Sequence, residues 1–353
     1  MSDVTRGANA AKWTRLTDAL LSAASTTATI ALTFFGLLLV TFLIARVVPI
    51  DPVLAVVGDR ATEEVYEQAR KDMGLDRPVY EQFAIYVGDV VQGDLGMSTL
   101  TARPVAEDIA RVFPATLELA TLGTLIGVLL GVPLGVWAAA RQGQWADQLI
   151  RFIGLIGYSV PIFWLGLVGL LVFYVQLEWV AGPGRLDIFY EGLVPPVTGA
   201  ILIDSLLAGN GQVFWNAVSH IILPASLLGY FSLAYISRMT RSFMLNELSR
   251  DYIMTARVKG LSERQVIWGH AFANIRVPLL TVIALSYAGL LEGSVLTETV
   301  FVWPGLGSYI TNALFAADMN AVLGGTLVVG LVFVGLNLLS DVLYQYLDPR
   351  ARQ

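Results

Sequence analysis

The sequence predicts an all-α membrane protein of six transmembrane helices. Three observations predict it. Hydrophobic residues make up 56% of the 353 residues and charged ones only 14%, where an average soluble domain carries about 25% charged residues. Six apolar runs lie at roughly 28–48, 115–140, 150–176, 218–240, 276–298 and 321–345. About 20 apolar residues cross a hydrocarbon core as a helix, and a helix satisfies its own backbone polar groups there. Finally, Lys and Arg collect in alternate loops.

The elements follow in chain order. Residues 1–27 are mostly polar and carry Arg6, Lys12 and Arg15. No convincing small-residue cleavage site follows them, so span 28–48 is read as a retained signal-anchor helix. Segment 49–114 is acidic and predicts two short helices, near 61–72 and 78–92, as a cap outside the membrane. Spans two to six make a core at 115–345, followed by a tail at 346–353. Within the core, 177–217 is rich in Gly and Pro and carries Trp179, Phe189, Tyr190 and Trp215.

With the N-terminus inside, 1–27, 141–151, 238–276 and 346–353 hold fourteen basic residues. The short outside loops, 177–217 and 299–320, hold only Arg185. Segment 49–114 holds six, but a loop longer than about 60 residues escapes this bias. Both termini are therefore predicted to be cytoplasmic, and 241–275 is the longest inner loop.

Composition also excludes functions. The net charge of −6 and the lack of a basic patch argue against nucleic acid. Absent cysteine removes disulfides, thiolate ligands and Cys nucleophiles. His220 and His270 are isolated and build no metal site of the usual kind. No H-E-x-x-H occurs, so no catalytic residues are assigned. No G-x-x-x-x-G-K-[ST] occurs either, so any ATP is bound elsewhere. A self-sufficient ion-coupled carrier or channel is the alternative. Such carriers show paired half-repeats with broken helices; none is found here, and the 241–275 loop would lack a purpose.

That loop is the most informative segment. One short helix is predicted to end at Gly260, a residue type that tolerates positive φ. A second begins at Ser262, with Gln265 three places on as in a capping box. The pair fits either a helical knob lying on an anionic leaflet or a docking element for a cytoplasmic partner.

Inside the spans, Gly123, Gly127, Gly131 and Gly135 recur at four-residue spacing around Pro133. Small residues on one face allow close static packing; a bend at Pro133 that shifts in use is the alternative. The intramembrane acids are Glu118, Glu292, Glu298 and Asp341, each costly unless it faces protein or water. Glu118 lies near an outer end, within reach of headgroup solvation. Glu298 either ties a gate region together or is simply exposed. Glu292 is deeper, and either meets a substrate ammonium group or bonds a neighbouring helix. Asp341 is expected to pair with a basic inner-loop residue. Trp303 is either an interfacial aromatic or part of a gate.

Met254-Thr-Ala256 and Gly260, with Ile275-Arg-Val-Pro278, resemble the EAA loop of ABC importer permeases, in the variant of the dipeptide/oligopeptide/nickel family. Met254 and Thr255 replace the generic Glu and Ala, and the gap to the proline is longer. Both departures are similar to the peptide subfamily. Further matches run in order through the chain. They are Pro49-Ile-Asp-Pro52, Gly74-Leu-Asp-Arg-Pro78, Gly93-Asp-Leu-Gly96, Arg103-Pro-Val, Pro114-Ala-Thr-Leu, Pro161-Ile-Phe-Trp-Leu-Gly166, Ile222-Leu-Pro224, Glu298-Thr-Val-Phe-Val-Trp-Pro-Gly-Leu-Gly307 and Leu347-Asp-Pro-Arg350.

The resemblance implies a six-helix type I ABC importer permease bundle, with the cap between helices one and two, in a bacterial inner membrane. It implies a second permease subunit, two ATP-binding subunits that hold the ATP, and a periplasmic substrate-binding protein. No cofactor is implied in this chain. The cargo classes of the family include peptides, glutathione, nickel chelates, opines and some sugars; a peptide or peptide-like solute is expected. Tyr252, Thr255, Ala256, Lys259, Gly260 and Leu261 are the expected ATPase-coupling residues. Glu292, Glu298, Trp303, Pro304 and Gly305 are the expected pathway or gate residues.

Overall fold

Two helices longer than a bilayer is thick organise the molecule. They are α5, Val105–Ala140, and α9, Gly211–Leu248. The computed structural model describes residues 24–25, 27–44, 52–58 and 60–347. The basic residues of 1–23, most of the 49–52 motif and the tail after Leu347 lie outside them.

At about 1.5 Å per residue, α5 and α9 run roughly 54 and 57 Å, well beyond a hydrocarbon core of about 30 Å. They pack along the glycine face. A Cβ added at Gly123 would lie 2.8 Å from Leu228 Cβ, and one at Gly135 2.6 Å from the Ser237 carbonyl oxygen. At Gly127 it would collide with Ser232. In return, Gly229 of α9 admits Ile126. Pro114 and Pro133 both sit inside α5 without ending it.

Around this pair stand α1 (Thr27–Ile44), α11 (Phe272–Val300) and α13 (Met319–Leu347). A π-helical turn, Gln265–Ala271, leads into α11. The predicted third span is not one straight helix. It is α6 (Trp145–Ser159) and α7 (Ile162–Gly169), the latter continued by a π-helical turn, Leu170–Gln176, and the two parts meet at 99°. The break sits at Val160, which is extended (φ −98°, ψ 127°) because a residue before proline avoids the helical region. Counted with this bent pair, six spans are present among the described residues.

Two predicted boundaries move. The second span begins at Val105 rather than 115. Glu107, Asp108 and Arg111 lower its hydropathy, yet Val105 and Ile109 point into the core. The fourth span runs from Gly211 to Leu248 rather than from 218 to 240, shortening the loops on either side.

Segment 49–114 holds α2 (Pro52–Val57), α3 (Glu63–Asp72) and α4 (Val79–Val91). Helix α4 docks on α1 through Phe83, edge-on to Phe35, and through Tyr86, stacked on Phe42. Asp318 ties this segment to the bundle: it is fully buried and accepts from Ser98 Oγ at 2.5 Å and Leu100 N at 3.1 Å. Tyr309 nearby is pushed up to about 12 by burial and by the charges of Asp108 and Asp318. The molecule thus has a cap end (63–104, 177–210 and 301–318) and a loop end (141–147 and 249–271), joined by α5 and α9. Helices α8 (Ile201–Leu207) and α12 (Leu306–Phe315) complete the cap end, and α10 (Asp251–Val258) the loop end.

Candidate functional site

The two ends are built on opposite principles. At the cap end the centre is Glu298, fully buried in the last turns of α11. One carboxylate oxygen accepts from Thr116 Oγ1 at 2.8 Å and Ser294 Oγ at 3.0 Å. The other accepts from Ser308 N at 2.9 Å. A buried charge requires such partners. The chain reaches this geometry by leaving α11 through Val302, which has φ +49°, and turning back over the helix end. Glycine is needed next: a Cβ at Gly305 would lie 2.5 Å from the Glu298 carboxyl carbon.

Trp303 is fully buried and its Nε1 donates to the Ala115 carbonyl at 3.0 Å. Over its ring, at 5.6 Å, lies the guanidinium of Arg185. Arg185 donates to Glu118 at 2.5 Å and to the Gly199 carbonyl at 2.7 Å. The other Glu118 oxygen accepts from Leu202 N at 2.8 Å. So the start of α5, the 182–202 loop and the 298–308 turn close into one polar cluster. Asp204, at the foot of α8, holds the same loop. Burial raises its pKa, but hydrogen bonds from Thr198 and Gly199 outweigh this and hold it below the ordinary aspartate range. His220, also buried, bonds the Gly182 carbonyl at 3.0 Å and Asp187 at 3.3 Å.

At the loop end, α10 and the π-helical turn form a knob. Ile253, Ala256, Val266 and Ala271 are buried in one cluster with Ile236 and Met244 of α9 and Ile275, Leu279 and Val282 of α11. The link is short because Gly260 adopts φ +82°. Ser262 and Gln265 form a reciprocal cap: Ser262 N donates to Gln265 Oε1 at 3.0 Å, and Gln265 N to Ser262 Oγ at 3.4 Å. Tyr252 donates to Glu247 at 2.6 Å and accepts from Asn274 at 2.8 Å. Burial and the Glu247 charge raise its pKa. Met254 and Val258 stand 69% and 83% exposed on the outer face.

Residues 131–353 match the family described as the binding-protein-dependent transport system inner membrane component. Residues 21–120 match the N-terminal model of such membrane components. The chain belongs to this family. Over 317 residues the permease is 45% identical to the probable D,D-dipeptide transport system permease protein DdpB of Escherichia coli, covering 89% of this chain and 92% of that protein. It is 43% identical over 321 residues to the di/tripeptide transport system permease protein DppB of Pseudomonas aeruginosa, covering 91% and 95%. It is 38% identical over 317 residues to the dipeptide transport system permease protein DppB of Alkalihalophilus pseudofirmus, covering 90% and 95%. This chain is thus a multi-pass permease subunit of a binding-protein-dependent ABC importer.

The permease brings Glu298, Trp303 and Gly305 together, while Pro304 is exposed at the rim. Glu292 stands apart. It is exposed and lines an apolar cavity of about 360 Å³ between α1, α11 and α13, and its side chain has no hydrogen bond to another described residue. Thr255, Lys259 and Gly260 are exposed on the knob, Tyr252 is part-exposed and Leu261 is half-buried against the core. Ala256 turns inward, so its small size serves the knob's own packing.

One placement corrects an expectation, and another decides against one of two open readings. Glu118 is 8% exposed and ion-paired, not solvated by headgroups. Trp303 is enclosed by protein, not an interfacial aromatic. The signal for the first was Arg185, the lone base of the short outer loops. The side chain of Asp341 lies outside the described residues.

Proposed function

We infer that the permease forms half of the translocation pathway for a peptide or peptide-like solute. A second homologous permease completes the pathway. Two ATP-binding subunits hold the ATP and seat against the loop end, and a substrate-binding protein docks at the cap end. Both termini are assigned to the cytoplasmic side by the distribution of Lys and Arg. No cofactor belongs to this chain.

The observation that carries this reading is the knob. Its inner face is continuous with the apolar core of α9 and α11, while Met254, Val258, Lys259 and Gly260 face outward. A push on that outer face therefore acts on the two helices directly. The cargo class is supported by the relatives, whose names specify dipeptides or di- and tripeptides.

The test is ATP-dependent uptake of a labelled dipeptide into vesicles holding the reconstituted complex and its binding protein. Gly260→Trp is the informative variant. Nothing lies within 4 Å of the position where its side chain would begin, so the cost is the strained φ of +82°, about 1 kcal/mol. The expected result is a normally inserted, assembled complex whose uptake is lost. Normal uptake by that variant would overturn the coupling role. Uptake by this chain alone, driven by an ion gradient, would favour a self-sufficient carrier.

A further inference from the structure

Between α6 and α9, at the loop end, lies a cavity of about 760 Å³ that neither the coupling knob nor the Glu298 cluster uses. Three arginines line it: Arg151 from α6, and Arg238 and Arg241 from α9. Each is held differently. Arg241 is locked by Asp147, with Nε and a terminal nitrogen on the two carboxylate oxygens at 2.5 and 2.9 Å. Arg238 lies over the Tyr158 ring, 4.6 Å from its centroid. Arg151 is exposed, and among the described residues neither it nor Arg238 has a carboxylate within ion-pair distance.

Asp147 is the one carboxylate bound into the group, and it is committed to Arg241. Three guanidiniums against one carboxylate leave about two positive charges around one cavity. Apart from Gln148, Ser237 and the Tyr158 hydroxyl the rest of the wall is apolar: Phe152 and Leu155 of α6 stand 58% and 63% exposed along it. Arg238 and Arg241 sit where the apolar stretch of α9 gives way to its polar end at Leu248.

We propose that this cavity binds the phosphate headgroup of an anionic phospholipid, with its acyl chains lying along Phe152 and Leu155. A guanidinium matches phosphate oxygens in a planar fork, and basic pockets between membrane helices suit such headgroups. Two of the arginines are oriented in advance, one by a carboxylate and one by an aromatic ring. The third is free to close on the phosphate. The lipid then lies between α6 and α9, on the α6 side of the break at Val160. A soluble phosphate would use the arginines but not the apolar wall, so the two sources are separable.

The test uses the complex isolated with its partner subunits. Detergent-purified complex is mixed with phosphatidylglycerol, with phosphatidylcholine, or with inorganic phosphate, and retained ligand is read by native mass spectrometry. Phosphatidylglycerol is expected to be retained and the other two not. At about fivefold per unpaired arginine removed, as the electrostatic attraction of such residues sets, Arg151→Gln with Arg238→Gln should weaken retention about 25-fold. Arg241 is left in place because Asp147 needs it. If the double variant fails to assemble, a photoreactive phosphatidylglycerol applied to the unaltered complex should label residues 148–158, and a phosphatidylcholine analogue should not. Equal retention of both lipids, competition by inorganic phosphate, or no labelling of 148–158 overturns the proposal.

Discussion

The cap end holds its segments by buried polar groups, the knob of the loop end by buried aliphatic ones. Glu298 takes bonds from α5, α11 and the 298–308 turn, Glu118 and Asp318 each take bonds from a segment remote in sequence, and all three are buried. In the knob at the loop end the buried residues are Ile253, Ala256, Val266 and Ala271, and the ion pair of Arg257 and Glu263 lies in solvent; the buried pair at that end, Asp147 with Arg241, ties α6 to α9 beside the knob. Hydrogen bonds fix direction as well as distance, so the carboxylates of Glu118, Glu298 and Asp318 hold their partners in one arrangement. Apolar contacts are tolerant of small sliding. The cap end is therefore suited to hold a closure, and the loop end to accept a push.

Glu298→Ala should break this comparison most severely. Thr116, Ser294 and Ser308 N would lose a buried acceptor, and each buried donor left unsatisfied costs about 1–3 kcal/mol. Thermal unfolding of the solubilised complex should show a large drop; an unchanged midpoint would mean that the cap end is not held by its polar groups.

Gly135→Val comes next. Its side chain would meet the Ser237 carbonyl and Thr240, and overpacking of this kind costs about 1–3 kcal/mol. Proteolysis of the solubilised chain should become faster at the α5–α9 junction.

Asp204 sharpens the comparison through pH. Its folded pKa lies below the ordinary range, so it stabilises the loop above that range and loses the effect as pH falls through the folded value. Protection of 197–204 from hydrogen exchange, taken relative to the intrinsic rate at each pH, should fall on acidification, and Asp204→Asn should remove that dependence. The smallest effect is expected at the loop end. Arg257 and Glu263 are 45% and 63% exposed, and exposed pairs contribute about 0–1 kcal/mol. Arg257→Gln should leave the unfolding midpoint within error.

Much of the fold was legible in the sequence because hydropathy and motif order are local properties. The six apolar runs, the glycine face and the Ser262 cap all appear where one helix or one turn determines them. Direction was less legible. The run 150–176 is apolar throughout, and hydropathy says nothing of the 99° bend within it; only the Val160–Pro161 pair signalled it. Burial of charge was less legible still. Glu118 and Arg185 are 67 positions apart, and nothing in either neighbourhood names the other. Glu298 and Trp303 could be singled out by motif, but their enclosure depends on the chain folding back through Gly305. Glu292 lies two turns away on the same helix and takes no part in that cluster.

The glycine face has a mechanical consequence. Two rods joined along their whole length bend far less than either does alone, so α5 and α9 act as one stiff beam. A beam about 57 Å long that tilts by roughly 5° about its middle carries each end some 2–3 Å, in opposite senses. Movement imposed at one end is then delivered at the other with its sign reversed and little lost to flexing. Each glycine shortens the gap between the rods, and so sets how faithfully that seesaw works.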